Sequence, residues 1–130
     1  MKKIILVLTA LLFFISCMKK VKLPDNQSEL LIGTWKYVSS SGGMTGREEN
    51  ASRTEIEYTK YGKYKYKDKK KFNFKSKFEI IMINSIYTNK DVYAIRYHKE
   101  GISQSFLIRN DTLYLKDEAT DSYSYTYVRK

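Results

Sequence analysis

The sequence predicts an all-β domain: about eight short antiparallel strands closed into an up-and-down barrel, with a β-sandwich as the alternative. Three observations carry this. From Ile32 onward, apolar and polar residues alternate with period two. β-Branched and aromatic residues dominate those runs. Turn signals part the runs at such short intervals that neighbouring strands must pair antiparallel. Closure follows because an open meander would leave two unpaired edges in water.

The elements follow in order. Asp25 and Ser28 are candidate N-caps for one helical turn through Glu29, Leu30 and Leu31. The first strand covers residues 34–40 and opens Thr-Trp-Lys-Tyr-Val. Ser39 to Asn50 is the longest loop, polar and glycine-containing, and a candidate lid over one barrel end. The second strand, 53–59, sets Thr54, Ile56 and Tyr58 against Arg53, Glu55 and Glu57. The third, 63–67, alternates Tyr64 and Tyr66 with lysines. In the fourth, Phe72, Phe74, Phe78, Ile80 and Met82 share even positions and are expected to face inward. Residues 92–97, 102–109, 112–116 and 122–129 complete the set, the last alternating Tyr123, Tyr125 and Tyr127 with Ser122, Ser124 and Thr126. Turns are expected at Tyr61-Gly62, Asn89-Lys90-Asp91, Glu100-Gly101, Asn110-Asp111 and Glu118 to Asp121.

The chain has 130 residues, so it forms one domain, and 24 Lys+Arg against 14 Asp+Glu give a formal charge of +10. Its 42% hydrophobic residues can fill a core, which excludes disorder as the main state. A single Cys excludes a disulfide framework or a Cys-based zinc site, and a single His excludes a multi-histidine metal centre. No metal or other cofactor is expected.

The N-terminus reads as an address. Met1-Lys2-Lys3 is basic, and Ile4 to Ile15 is apolar except for Thr9. Twelve helical residues span about 18 Å, short of the ~30 Å hydrocarbon core, so the run is a secretory signal rather than a stable membrane span. The lone Cys17 follows Ser16 at the end of that run. Phe14-Ile15-Ser16-Cys17 resembles the lipobox of bacterial lipoproteins, with Phe14 where Leu is more usual. That resemblance implies cleavage before Cys17 and acylation of its sulfur, hence membrane attachment in the cell envelope. Residues 1–16 would be the signal peptide, 17–28 the lipidated Cys and a tether, and 29–130 the barrel domain. Met18 after Cys17 tips the expectation toward the outer membrane. Cleavage leaves 114 residues and removes Lys2 and Lys3, so 22 basic residues face 14 acids, a formal +8.

Leu31-Ile32-Gly33-Thr34-Trp35-Lys36 resembles the Gly-x-Trp opening of lipocalins and of bacterial lipocalin-like lipoprotein domains. A helical turn before Gly33 and a final strand ending near Arg129 agree with that family. The resemblance implies a barrel end closed by Gly33, Trp35 and Arg129, with the arginine packed across the indole. It also implies a small apolar or amphipathic ligand, for which Trp35, Tyr93, Tyr97 and Phe106 are the candidate lining at the barrel mouth. The domain is shorter than most lipocalins, and its large inward side chains favour a small interior.

Catalysis is not expected. His98 lies in a turn beside Lys99 and Glu100 with no positioned partner, Ser39 to Ser41 lack a nucleophile elbow, and the carboxylate pairs Glu48-Glu49 and Asp117-Glu118 are adjacent in sequence and so point apart. The charge excess is local. Residues 60–77 hold nine lysines and one acid, Asp68, while the rest of the mature chain is neutral. Lys63, Lys65, Lys67, Lys69, Lys70 and Lys71 form the expected basic patch. Interleaved aromatics could stack nucleic-acid bases, but an exported protein favours an anionic envelope surface or an acidic protein instead, and no nucleic acid is expected. The leading expectation is therefore a non-catalytic envelope lipoprotein that binds a small ligand. The alternative is a filled-barrel interaction module that works through its Lys-rich hairpin.

Overall fold

A computed structural model describes residues 20, 24, 26–43, 53–68, 71–98 and 101–130, with the side chains of 71–75 left out. The signal segment, Cys17, most of the tether, residues 44–50 of the candidate lid, and Lys69 and Lys70 lie outside the described residues. Helix α1 (Asn26–Leu31) leads into β1 (Gly33–Gly42), β2 (Arg53–Tyr58), β3 (Lys63–Asp68), β4 (Lys71–Asn84), β5 (Asp91–Tyr97), β6 (Ser103–Arg109), β7 (Thr112–Asp117) and β8 (Tyr123–Arg129). Each strand pairs antiparallel with its sequence neighbour, and β8 returns to β1, closing the barrel. The architecture fits a lipocalin-like barrel.

The core is filled from the inward faces of the strands. Trp35, Ile56, Tyr58, Tyr64, Phe78, Ile95, Tyr97, Ile108, Leu113, Leu115 and Tyr127 are buried in one cluster, joined by Leu31 of α1. Aromatic side chains dominate it and meet at tilted or edge-on angles. Tyr58 lies 5.1 Å from Phe78, and Tyr64 lies 4.8 Å from Tyr97.

One barrel end is closed by contacts among α1, β1 and β8. Trp35 is fully buried, and its Nε1 donates to the Leu31 carbonyl at 2.9 Å. The Arg129 guanidinium lies 4.1 Å from the indole centroid and donates to the carbonyls of Ile32 and Leu30. Together they satisfy carbonyls that the short helix leaves open, with a cation at the negative end of its dipole. Gly33, at φ +140°, makes room for this, because a Cβ there would lie 2.8 Å from Arg129 Nη1. The helix begins at Asn26, so Ser28 is a buried residue within it rather than its cap; Asp25 lies outside the described residues.

Among the described residues, three β-bulges change which face a residue shares. The shift between Arg53 and Glu55 takes Arg53 out of phase with the glutamates. Arg53 was expected on the wet face; instead its Nη1 donates to the Tyr64 hydroxyl at 2.9 Å inside the barrel. A shift opposite Tyr64 and Lys65 registers Phe72 against Lys67 and Phe74 against Lys65, out of phase with Phe78. A third, between Tyr37 and Ser39, leaves Val38 exposed.

The largest departure lies in β4 and β5. Strand β4 has 14 residues: Lys71–Lys77 pairs with β3 and Phe78–Asn84 with β5. β5 in turn pairs with β6 over only three residues, Ala94–Arg96. Beyond that crease the hairpin leaves the barrel wall and its faces exchange burial. Met82, expected inward, is 54% exposed, while Ile83 and Val92 on the opposite face are half-buried. The hairpin therefore bends over the outer face of β6–β8.

Candidate functional site

Among the described residues, three cavities stand out: one inside the barrel, one under the bent hairpin, and one of about 410 Å³ lined by Glu79, Arg96, Tyr97, His98, Gly101 and Ser103. The first is the space left inside the barrel, about 100 Å³, lined by Arg53, Ile56, Tyr64, Gln104, Leu115, Tyr125 and Tyr127. That volume accommodates several waters or a small polar molecule. A directed hydrogen-bond chain runs beside it. Tyr97 gives its one proton to Gln104 Oε1 at 2.7 Å, so Tyr58, 2.6 Å away, donates to Tyr97. Gln104 then donates to Asp117 Oδ1 at 2.6 Å.

Tyr58, Tyr125 and Tyr127 resist ionisation. Burial, and then the neighbouring Tyr64, pushes the Tyr58 hydroxyl well above its usual range. Burial likewise raises Tyr127. Burial and the Asp117 carboxylate push Tyr125 up to about 12. These phenols are neutral hydrogen-bonding groups at physiological pH. Their folded-state values lie above the unfolded value near 10, so their contribution to stability is complete below about pH 10 and is lost as pH rises through about 12. The urea midpoint of unfolding is accordingly expected to be flat from pH 8 to 10 and to fall steeply above, less steeply in Tyr125→Phe. An equal fall in that variant would contradict the assignment.

The second cavity is the groove under the bent hairpin, about 460 Å³. One wall is the outer face of β6, β7 and β8, with Ser105, Leu107, Tyr114, Lys116, Ser124 and Thr126. Opposite stand Val92 and the turn residues Ser85, Tyr87 and Thr88, and Glu118 closes one side. Leu107 and Tyr114 are 45% and 43% exposed, large apolar surface that strand alternation would normally leave polar.

The turn crosses the groove because the β7–β8 connection holds it. Glu118 Oε1 accepts from Ser85 Oγ at 3.1 Å and Oε2 from the Ile86 amide at 3.0 Å. The Tyr87 hydroxyl donates to the Ala119 carbonyl and lies 2.9 Å from Ser122 Oγ. Lys116 Nζ sits 3.5 Å from the Tyr87 ring centroid, a close cation–π contact. The turn itself is shaped by Asn89 at φ 54° and by the Ser85 amide bonding to the Lys90 carbonyl.

The residues expected to line a ligand site fall in different places. Trp35 is sealed into the closed end under Arg129. Tyr97 is buried in the core, with its hydroxyl in the chain beside the interior space. Tyr93 lies opposite Met82 on the projecting hairpin. Phe106 packs against the core and is itself among the residues that line the groove. None of the four lines the interior space, because the barrel is filled by Tyr58, Tyr64, Tyr97, Tyr127 and Phe78. Gly33, Trp35 and Arg129 do come together.

On the outer barrel face the lysines stand among acids. Glu55 and Glu57 of β2 lie directly opposite Lys67 and Lys65 of β3. Lys65 Nζ is 3.8 Å from Glu57, and Glu55 accepts from Lys130 at 3.0 Å. Lys63 is registered against Lys77, and Lys71 against Asp68. The half-exposed His98 is 3.6 Å from Glu79, whose carboxylate also binds Arg96 at 2.6 Å. Among the described residues, no group of three His, Cys, Asp or Glu is placed to hold a metal ion. No protein-family model, curated protein or solved structure matches the chain.

Proposed function

We propose that the chain is a non-catalytic lipoprotein of the bacterial cell envelope, anchored through acylated Cys17, whose lipocalin-like barrel carries a small apolar or amphipathic ligand in the groove outside its wall. The observation that supports this most is the contrast between the interior space and the groove; the third cavity, beside Glu79, Arg96 and His98, is walled mostly by charged and polar residues. The interior offers about 100 Å³ among phenols, a glutamine and an arginine. The groove offers about 460 Å³ against Leu107, Tyr114, Val92 and the Tyr87 ring, with Lys116, Ser105 and Thr126 as polar contacts. Ligand pockets of roughly 300–1,000 Å³ with apolar walls and a few polar groups fit small molecules. A second reading, contact with an acidic partner through Lys63, Lys65 and Lys67, has less support, because Glu55 and Glu57 face two of those lysines.

The test is a fluorescence titration of the purified protein with N-phenyl-1-naphthylamine, a neutral apolar probe. Saturable binding is expected. Leu107→Glu should weaken it about tenfold or more, since it removes apolar contact area and a neutral apolar probe would have to desolvate the new carboxylate. Tyr127→Phe, inside the barrel, should leave affinity within about twofold, because its hydroxyl lies off the groove. Absence of saturable binding, or unchanged affinity in Leu107→Glu, would refute the groove as the site.

A further inference from the structure

We infer that the groove selects an amphiphile carrying one anionic group on an apolar body, and that Lys116 is the residue that receives the anionic group. The inference rests on the groove being the binding site and narrows what that site takes. It comes from the order of residues across the groove wall.

The wall is three antiparallel strands, so its outer face is laid out in cross-strand rows. Lys116 of β7 is registered against Ser105 of β6 and Ser124 of β8. Two residues back along β7, Tyr114 is registered against Leu107 and Thr126. All of these residues line the groove. Two strand residues span about 7 Å, so a polar row with one cation lies about that far from a row with a leucine and a tyrosine ring. An amphiphile has the same division, its head matching the first row and its body the second.

The charges in the groove are engaged unequally. Glu118 is held by the turn: Oε1 accepts from Ser85 Oγ at 3.1 Å and Oε2 from the Ile86 amide at 3.0 Å. Lys116 is not held in this way. Its Nζ sits 3.5 Å from the Tyr87 ring centroid, and among the described residues no carboxylate or carbonyl accepts from it. An ammonium has three protons to donate, and a half-buried one beside apolar surface gains most from an anionic acceptor. Ser105 gives its proton to the Lys116 carbonyl at 3.4 Å, so Ser124 is the neighbouring hydroxyl that can donate to the same acceptor. A cationic amphiphile would instead set two like charges side by side, with Glu118 already bonded to the turn.

The test compares two probes that differ by one group. N-Phenyl-1-naphthylamine is neutral, and 1-anilinonaphthalene-8-sulfonate is the same skeleton with an added sulfonate. Both are titrated by fluorescence into the purified full mature chain. The sulfonate probe is expected to bind about tenfold more tightly. Lys116→Met should weaken the sulfonate probe about tenfold and leave N-phenyl-1-naphthylamine within about threefold. Lys77→Met removes the same formal charge from an exposed position of β4 outside the groove, and should leave both affinities within about twofold. A sulfonate probe that binds no more tightly than the neutral one would overturn the anionic class. An equal loss of both probes in Lys116→Met would overturn it too, making Lys116 only part of the wall. An equal loss of the sulfonate probe in Lys77→Met would reduce the preference to one for net charge and overturn the role of Lys116. Saturable N-phenyl-1-naphthylamine binding alongside any of these keeps the groove as a site, whereas no binding of either probe refutes the groove and the inference with it.

Discussion

Replacing Trp35 with Ala is expected to lower the unfolding free energy by about 3–5 kcal/mol, the largest stability loss of any single side chain at the closed end. The indole is fully buried, bonds the Leu31 carbonyl and supports the Arg129 guanidinium, so its removal leaves a cavity and uncaps α1 together. Small domains hold only about 5–15 kcal/mol in total, so much of the folded state's margin would be gone. Arg129→Ala removes the cation–π contact and two charge-assisted bonds but no core volume, and should cost about 1–3 kcal/mol. Urea unfolding followed by far-ultraviolet circular dichroism measures both. A Trp35→Ala loss below about 1 kcal/mol would mean that the barrel end is not closed by this residue.

The second large effect is on location. Cys17→Ser is expected to abolish acylation and block lipoprotein processing, and the same substitution behind an ordinary cleavable signal peptide is expected to move the protein from the membrane fraction to the soluble fraction. Each buried CH₂ of an acyl chain contributes about 0.8 kcal/mol, so loss of two or three chains is close to all-or-none. The lysines that follow, Lys19, Lys20 and Lys22, supply only screened attraction of about 1 kcal/mol each to an anionic surface. Unchanged processing and mass in Cys17→Ser, or unchanged membrane retention behind the ordinary signal peptide, would refute the anchor.

The strands were legible because alternation is a local property. Tyr123, Tyr125 and Tyr127 declare one face of β8 with no knowledge of its neighbours, and Asn110-Asp111 declares the turn before β7. The closed end was legible through three residues, Gly33, Trp35 and Arg129. What escaped was anything set by pairing between strands. Arg53 reads as wet-face polar beside Glu55 and Glu57, and only the bulge across β2 and β3 turns it inward. Met82 continues the even-numbered face of Phe78 and Ile80, and only the three-residue pairing of β5 with β6 lets the hairpin bend outward and expose it. The groove is built from that bend. Phe106 was a candidate lining residue and does line it, and Leu107 and Tyr114 were visible in the sequence as apolar residues out of phase with the core. The interior was likewise expected to be small from its aromatic content, but its polar lining depends on Arg53 and Gln104 meeting across the barrel.

The choice between groove and interior is tested most directly by mapping the bound probe. Backbone amide and methyl chemical shifts, recorded by nuclear magnetic resonance with saturating N-phenyl-1-naphthylamine, should move at Val92, Leu107, Tyr114 and Thr126, while Ile56, Tyr64 and Tyr127 stay in place. Shifts centred on Ile56, Tyr64 and Tyr127 with Leu107 and Val92 unmoved would place the ligand inside the barrel and contradict the groove.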